Sequence, residues 1–102
     1  LNVFQALDIR AARVLEARMV PKSSKLIKLK IDLGEERAIV AGIGGQYRPE
    51  GLVGKLIAVV ANLKPAKIMG VESRGMLLAA TGEQGIALVV FDGNVEPGAP
   101  VG

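Results

Sequence analysis

The sequence predicts an all-β fold: a five-stranded barrel of the OB type, with a short helix between strands 3 and 4 and an extra C-terminal strand region. Three observations predict it. Short apolar runs recur along the chain, separated by clusters of Gly, Pro and Ser. Helix punctuation, a Pro followed by a closing Gly, occurs after the third run, at Pro49 and Gly54. Three strands, a short helix and two more strands is the order of an OB barrel. The 102 residues suit one domain, 1–102, with one modest core. Half of them are apolar, but the aromatics are only Phe4, Tyr47 and Phe91, so the core must be built from Val, Ile, Leu, Ala and Met.

Residues 8–20 (DIRAARVLEARMV) read as a long bent strand whose slip in alternation signals a bulge. A helix is the competing reading, because Ala, Arg, Leu and Glu favour one. After the turn at 21–24, residues 25–33 alternate cleanly. Ile27, Leu29, Ile31 and Leu33 share one face, and Lys28, Lys30 and Asp32 the other. Gly34-Glu35 marks a hairpin, and 36–43 return as strand 3. Residues 55–63 (KLIAVVANL) read as a strand buried on both sides, and 75–80 (GMLLAA) as the fifth. Between them, 64–74 read as a basic loop. The run 86–91 (IALVVF) is a sixth strand. It covers a barrel edge within the chain or pairs with a second subunit, since exposed apolar strands invite association. The second reading is favoured, which makes 82–102 a dimerisation region.

Net charge is only +3, but it is unevenly placed. Residues 10–30 carry seven bases and one acid, and residues 55–80 four bases and one acid, while 81–102 carry three acids and no base. Two basic blocks are what a polyanion-binding surface needs; a merely solvated basic surface is the plain alternative. OB barrels bind through the loops joining strands 1 to 2 and 4 to 5. Here those loops, 20–25 and 63–74, hold Lys22, Lys25, Lys64, Lys67 and Arg74. Charge and topology therefore point to one face.

Catalytic and metal chemistry is poorly served. There is no His and no Cys, which removes the commonest general base and the usual zinc ligands, so no metal or cofactor is expected. Ser23 and Lys25 lack the spacing of a serine–lysine nucleophile. Gly42-Ile43-Gly44-Gly45 resembles a dinucleotide loop, but Tyr47 stands where its third glycine belongs. With no catalytic group in view, the domain is expected to be a binding module rather than an enzyme. No apolar run reaches the roughly 20 residues of a membrane span. The absence of Cys favours a cytoplasmic home. A start at Leu1 rather than Met suggests a piece of something larger. Single-strand binders stack bases on aromatic side chains, which are scarce here, so the composition leans toward folded RNA recognised through phosphates and shape.

The wording then resembles a known family. Asp8-Ile9-Arg10, Ser24-Lys25-Leu26, Ile31-Asp32-Leu33-Gly34, Val40-Ala41-Gly42-Ile43, Val60-Ala61-Asn62-Leu63-Lys64-Pro65 and Gly70-Val71-Glu72-Ser73-Arg74-Gly75-Met76 resemble the tRNA-binding domain family. That domain is found at the C-terminus of bacterial methionyl-tRNA synthetases and as a free-standing, structure-specific tRNA-binding protein. The resemblance implies an OB-fold homodimer that binds the outer corner of tRNA. Expected partners are tRNA, a second copy, and the catalytic part of an aminoacyl-tRNA synthetase. By match to the motif, Ser73 and Met76 face RNA. The charge argument adds Lys25, Asn62, Lys64, Lys67 and Arg74. Several have a structural alternative: Met76 as core, Asn62 bonding the loop backbone, Ser73 as a cap or turn, and Lys25, like Arg10, pairing with Asp8 or Asp32. The chain departs from the family pattern at Ala66, where a second base commonly follows the Pro. A related chaperone family shares the fold but lacks the N-L-x-P and S-x-G-M wording. A dimerisation or chaperone-like module is therefore the rival reading.

Overall fold

The computed structural model describes residues 6–102; Leu1 and Phe4, noted above, lie outside them. The elements are β1 (Ile9–Met19), β2 (Ile27–Asp32), β3 (Glu36–Ala41), α1 (Pro49–Leu52), β4 (Leu56–Val60), β5 (Ala66–Ile68), β6 (Val71–Ser73), β7 (Met76–Leu77), β8 (Ala79–Gly82), β9 (Gly85–Leu88) and β10 (Pro100–Val101). The main sheet runs β3-β2-β1-β4-β7, with β10 on the free flank of β1, and it curls into a nearly closed barrel. This is the expected OB-type order, with α1 between the third and fourth strands.

Residues 9–19 form a strand, not a helix, and the bulge is where the alternation slips. Val14 pairs with Ile31 and Glu16 with Lys30, so Leu15 is the extra residue. The bulge resets the parity of β1. Val14 and Ala17 thereby both face the core, opposite Ile31 and Leu29, although they are three residues apart. Glu16 and Arg18 face outward beside Lys30 and Lys28. The core is aliphatic, with Val14, Ile27, Leu29, Ile31, Leu33, Ile39, Leu52, Ile57 and Val59 completely buried.

Three expectations need correction. The segment expected to be a loop, 64–74, is folded into a hairpin in which Ala66, Lys67 and Ile68 pair with Ser73, Glu72 and Val71. The fifth strand breaks at Leu78. Met76 and Leu77 pair with β4, while β8 turns away to pair with β9. The run 86–91 makes its backbone bonds within the chain. Its first half pairs with β8, Val90 bridges Ile57, and the Ala58 amide donates to the Val89 carbonyl. It covers the edge of β4 that the short β7 leaves open.

The barrel closes between β3 and the segment leading into β7. No regular ladder joins them. The Arg74 amide donates to the Ala38 carbonyl at 2.9 Å, and the Val40 amide donates to Ser73 Oγ at 2.9 Å. From β3, Arg37 reaches across to the Ala61 carbonyl at 2.6 Å. Gly75 sits in this seam with φ at +139°, and a Cβ there would lie 3.0 Å from the Val60 carbonyl oxygen. Strain and crowding should act together in Gly75→Ala, which should cost well over about 1 kcal/mol in urea unfolding. Gly70→Ala, at φ +80° with nothing within 4 Å, carries the strain alone and should cost less. Equal losses at both positions would mean that the seam tolerates a methyl group.

Candidate nucleic-acid interface

The outward face of β1, β2 and β3 forms the floor of an open groove of about 460 Å³. Cross-strand register builds it in rows: Arg18 beside Lys28, then Glu16 beside Lys30 beside Ala38. The β5–β6 hairpin, docked on the free edge of β3 by the Arg74 and Ser73 bonds, supplies Glu72 and Arg74 as a wall. The lining thus contains the cations Arg18, Lys28, Lys30, Arg37 and Arg74 against the acids Glu16, Glu36 and Glu72.

These charges are unequally engaged. Lys30 contacts Glu36 at 3.2 Å and Glu16 at 3.8 Å, and the Glu36 hydrogen bond in particular holds its ammonium above the usual lysine range. Arg18 reaches Glu16 only at 3.6 Å, with both side chains well exposed. Arg37 is largely enclosed and tied to Glu35 at 2.7 Å. Lys28 and Arg74 make no ion pair among the described residues. They are the groove's uncommitted cations. Exposed ion pairs contribute little to stability, so Arg18 and Lys30 can exchange carboxylate for phosphate at small cost, whereas Arg37 is held in the seam.

The structure separates the sequence-derived candidates. Arg74 lines the groove. Lys67 pairs in register with Glu72 and so shares the hairpin face that Glu72 and Arg74 present to it. Lys64 is exposed in the segment entering the hairpin. Lys25 lies outside the groove, beside Gly42, Ile43 and Gln46, and makes no ion pair with Asp32. Met76 is 58% exposed at the start of β7, so it is not core. Ser73 faces inward at 4% exposure; its hydroxyl accepts from the Val40 amide and donates to the Gly75 carbonyl. Asn62 bonds backbone at both ends of its amide, donating to the Ala6 carbonyl and accepting from the Asp8 amide. Their side chains hold the scaffold, as the structural alternatives had it. Arg10 pairs with Asp8 at 3.0 Å. Sequence reasoning left Arg18, Lys28, Lys30 and Arg37 out of the site. The alternation of 25–33 already placed both lysines on one outer face, whereas Arg18 joins them only through the parity change at the bulge.

Among the described residues, no three His, Cys, Asp or Glu side chains converge as a metal site. No helix there is long and apolar enough to cross a membrane.

Two substitutions test this scaffold. Ser73→Ala leaves the buried Val40 amide without an acceptor and should cost about 1–3 kcal/mol in urea unfolding. Glu35 has its carboxyl held below the ordinary 4.5, first by the hydrogen bond from Arg37 and then by the charges of Arg37, Arg74 and Arg10. Its stabilising effect is therefore complete above pH 4.5 and is lost as pH falls further. A urea-midpoint series below that pH should decline less steeply in Glu35→Gln than in the parent; parallel declines would remove Glu35 from the seam's support.

Residues 9–100 match the family described as "Putative tRNA binding domain". The chain is 62% identical to methionine–tRNA ligase of Thermotoga maritima over 102 residues, which cover 99% of this chain and 16% of that protein. It thus spans about a sixth of the length of such relatives. Among solved structures, it superimposes on a MetRS-related protein from Pyrococcus horikoshii with a TM-score of 0.90 at 44% identity, covering 96% of this chain and 92% of that one. It also superimposes on the CsaA chaperone protein from Picrophilus torridus with a TM-score of 0.90 at 30% identity, covering 99% and 96%. A family match over nearly the whole chain, on a barrel with a groove lined by five cations, has one reading: the chain belongs to the tRNA-binding domain family.

Proposed function

We propose that this domain is a non-catalytic module that binds folded tRNA through its phosphates, as an appended domain of a cytoplasmic methionyl-tRNA synthetase. The observation that carries this reading is the groove. Arg18, Lys28 and Lys30 stand on a rigid three-stranded floor, Arg37 lies at its edge, and the hairpin supplies Arg74 as a wall, with Lys67 in register with Glu72 on the same side. Lys28 and Arg74, free of carboxylates, are the first phosphate ligands. Arg18 and Lys30 follow as their acids are displaced. Lys64 and Lys25 extend the cationic surface outside the groove, and Met76 offers an exposed apolar contact at the RNA-facing end. Ser73 and Asn62 act indirectly, by fixing the hairpin and its base. The relatives supply the context: a much longer methionine–tRNA ligase in one case, and a MetRS-related protein of nearly this length in another, which keeps a free-standing tRNA-binding protein as the alternative setting.

The module acts as a homodimer through its C-terminal part, 82–102 with the adjoining strands. Ile9, Ala58 and Val60 form a small buried cluster apart from the main core, packed by Leu78 and Phe91. Val101 pairs with Ile9 and is exposed, as are Val89 and Val90. A dimer would place two weak phosphate-binding sites on one assembly and raise affinity without a new contact. The similarity to a chaperone of the same fold favours, as second reading, a dimeric module with little RNA binding.

Binding to folded tRNA and to a single-stranded oligomer of equal length, measured across a salt series, separates the two. The tRNA reading expects a clear preference for tRNA that weakens as salt rises. Replacing Lys67 and Arg74 together by Ala should lower affinity and reduce the slope of log K against log salt by about 2. Equal, weak binding to both nucleic acids, with a light-scattering mass near twice 10.6 kDa, would instead support the dimerisation module.

A further inference from the structure

Met69 is hard to account for within the fold. It occupies the first position of the two-residue turn between β5 and β6, where Ile68 and Val71 close the ladder. Both turn residues have positive φ, 50° at Met69 and 80° at Gly70. That is the backbone of a type I′ hairpin, which suits the right-handed twist of its strands and favours Asn, Asp or Gly at both positions. Gly70 fits. Met69 does not, because an L-residue with a long side chain loses free energy in the left-handed region. Burial does not offset this loss, since Met69 is 56% exposed, among the most exposed large apolar side chains described.

A second observation concerns what the chain lacks. Folded RNA displays unstacked bases in its loops, and proteins commonly meet them with aromatic rings. The described aromatics are engaged elsewhere. Tyr47 packs on the core and accepts a hydrogen bond from the Leu88 amide. Phe91 packs on the cluster of Ile9, Ala58 and Val60. Among the described residues, contact to a base face therefore falls to an arginine guanidinium or to an exposed aliphatic or thioether side chain, and at the hairpin tip only Met69 offers one.

From these two observations, and resting on the RNA-binding reading above, we infer that Met69 is a base-contacting wedge: its thioether lies against the face of an unstacked loop base in folded RNA while Lys67 and Arg74 hold the flanking phosphates. Met suits this role because its flexible, polarisable side chain makes favourable sulfur–aromatic contacts and adapts to different bases. Apolar wedges that include Met insert between bases in other nucleic-acid complexes. The short hairpin presents the side chain on a fixed mount, so little ordering is needed on binding.

The test uses Met69→Asn and Met69→Leu in tRNA-binding titrations over a salt series, each with a urea-unfolding midpoint. Asn favours the left-handed backbone, so Met69→Asn should fold with an equal or higher midpoint. Its affinity for tRNA should nevertheless fall about three- to tenfold, as expected for one lost base contact. The salt slope should be unchanged, because no phosphate contact is removed. Met69→Leu should lose less. Unchanged affinity in Met69→Asn, or a loss accompanied by a shallower salt slope, overturns the wedge while leaving the tRNA reading intact. Parent protein that shows no preference for tRNA overturns the reading and the wedge with it.

Discussion

The structure depends on how a five-stranded sheet closes when its last strand is only two residues long. The β7 strand is too short to zip against β3, so closure relies on a few individual bonds: Arg74 amide to Ala38, Val40 amide to Ser73, and the Arg37 guanidinium to the Ala61 carbonyl. Each satisfies a backbone group that would otherwise be orphaned at a barrel edge, where burial without a partner is costly. Gly75 lets the chain pass close to Val60 between them. The S-x-G part of the motif is thus accounted for by closure. Ser73 and Gly75 belong to the fold, and the residue between them, Arg74, is aimed into the groove by the same bonds. Fold and site share three consecutive residues.

That arrangement bears on the electrostatics. The groove is cationic but not strongly so, since three carboxylates lie among its five cations. On an exposed surface such pairs contribute between nothing and about 1 kcal/mol each, so they barely stabilise the domain. Their larger effect is on binding. A diffuse polyanion gains only the net charge. An RNA whose phosphates lie at the positions of Lys28 and Arg74 gains contacts that no internal acid competes for. The acids lower affinity for nucleic acid in general more than for a ligand of matching shape.

The legible part of the fold was the part governed by period. The alternation of 25–33 gave β2 and its outer lysines, the slip in 8–20 gave the bulge, and Pro49 with Gly54 gave α1. The β5–β6 hairpin was not legible. Its strands are three residues each, too short for a period, and its I′ turn carries Met where Asn or Gly would have announced it. Leu78 reads as mid-strand, yet its amide bonds Ala58 while β8 departs to β9, a tertiary choice with no local signal. The apolar run 86–91 read as a candidate for another subunit because sequence cannot show that β7 is too short to cover β4. In the site, loop bases were found by charge. Arg18 needed the bulge, and Arg37 needed the seam. Ser73 and Asn62 were marked as RNA-facing candidates, but sequence does not distinguish a side chain that touches RNA from one that holds the loop, as both do here.

Rigidity links this architecture to its ligand. The floor cations stand on paired strands, about 4.8 Å apart across the sheet, and the hairpin is fixed to β3 by the Arg74 amide and the Ser73 hydroxyl. Such an array cannot follow a flexible chain. A single strand must be ordered along it at an entropic cost, and few aromatic faces are free to offset that cost by stacking. A folded RNA has met that cost in its own folding and brings its phosphates already spaced. The proposed preference for structured RNA would thus need only a stiff cationic surface with little stacking capacity, and no reading of base sequence. A hairpin tip that meets one unstacked base would add register to a contact otherwise set by shape alone.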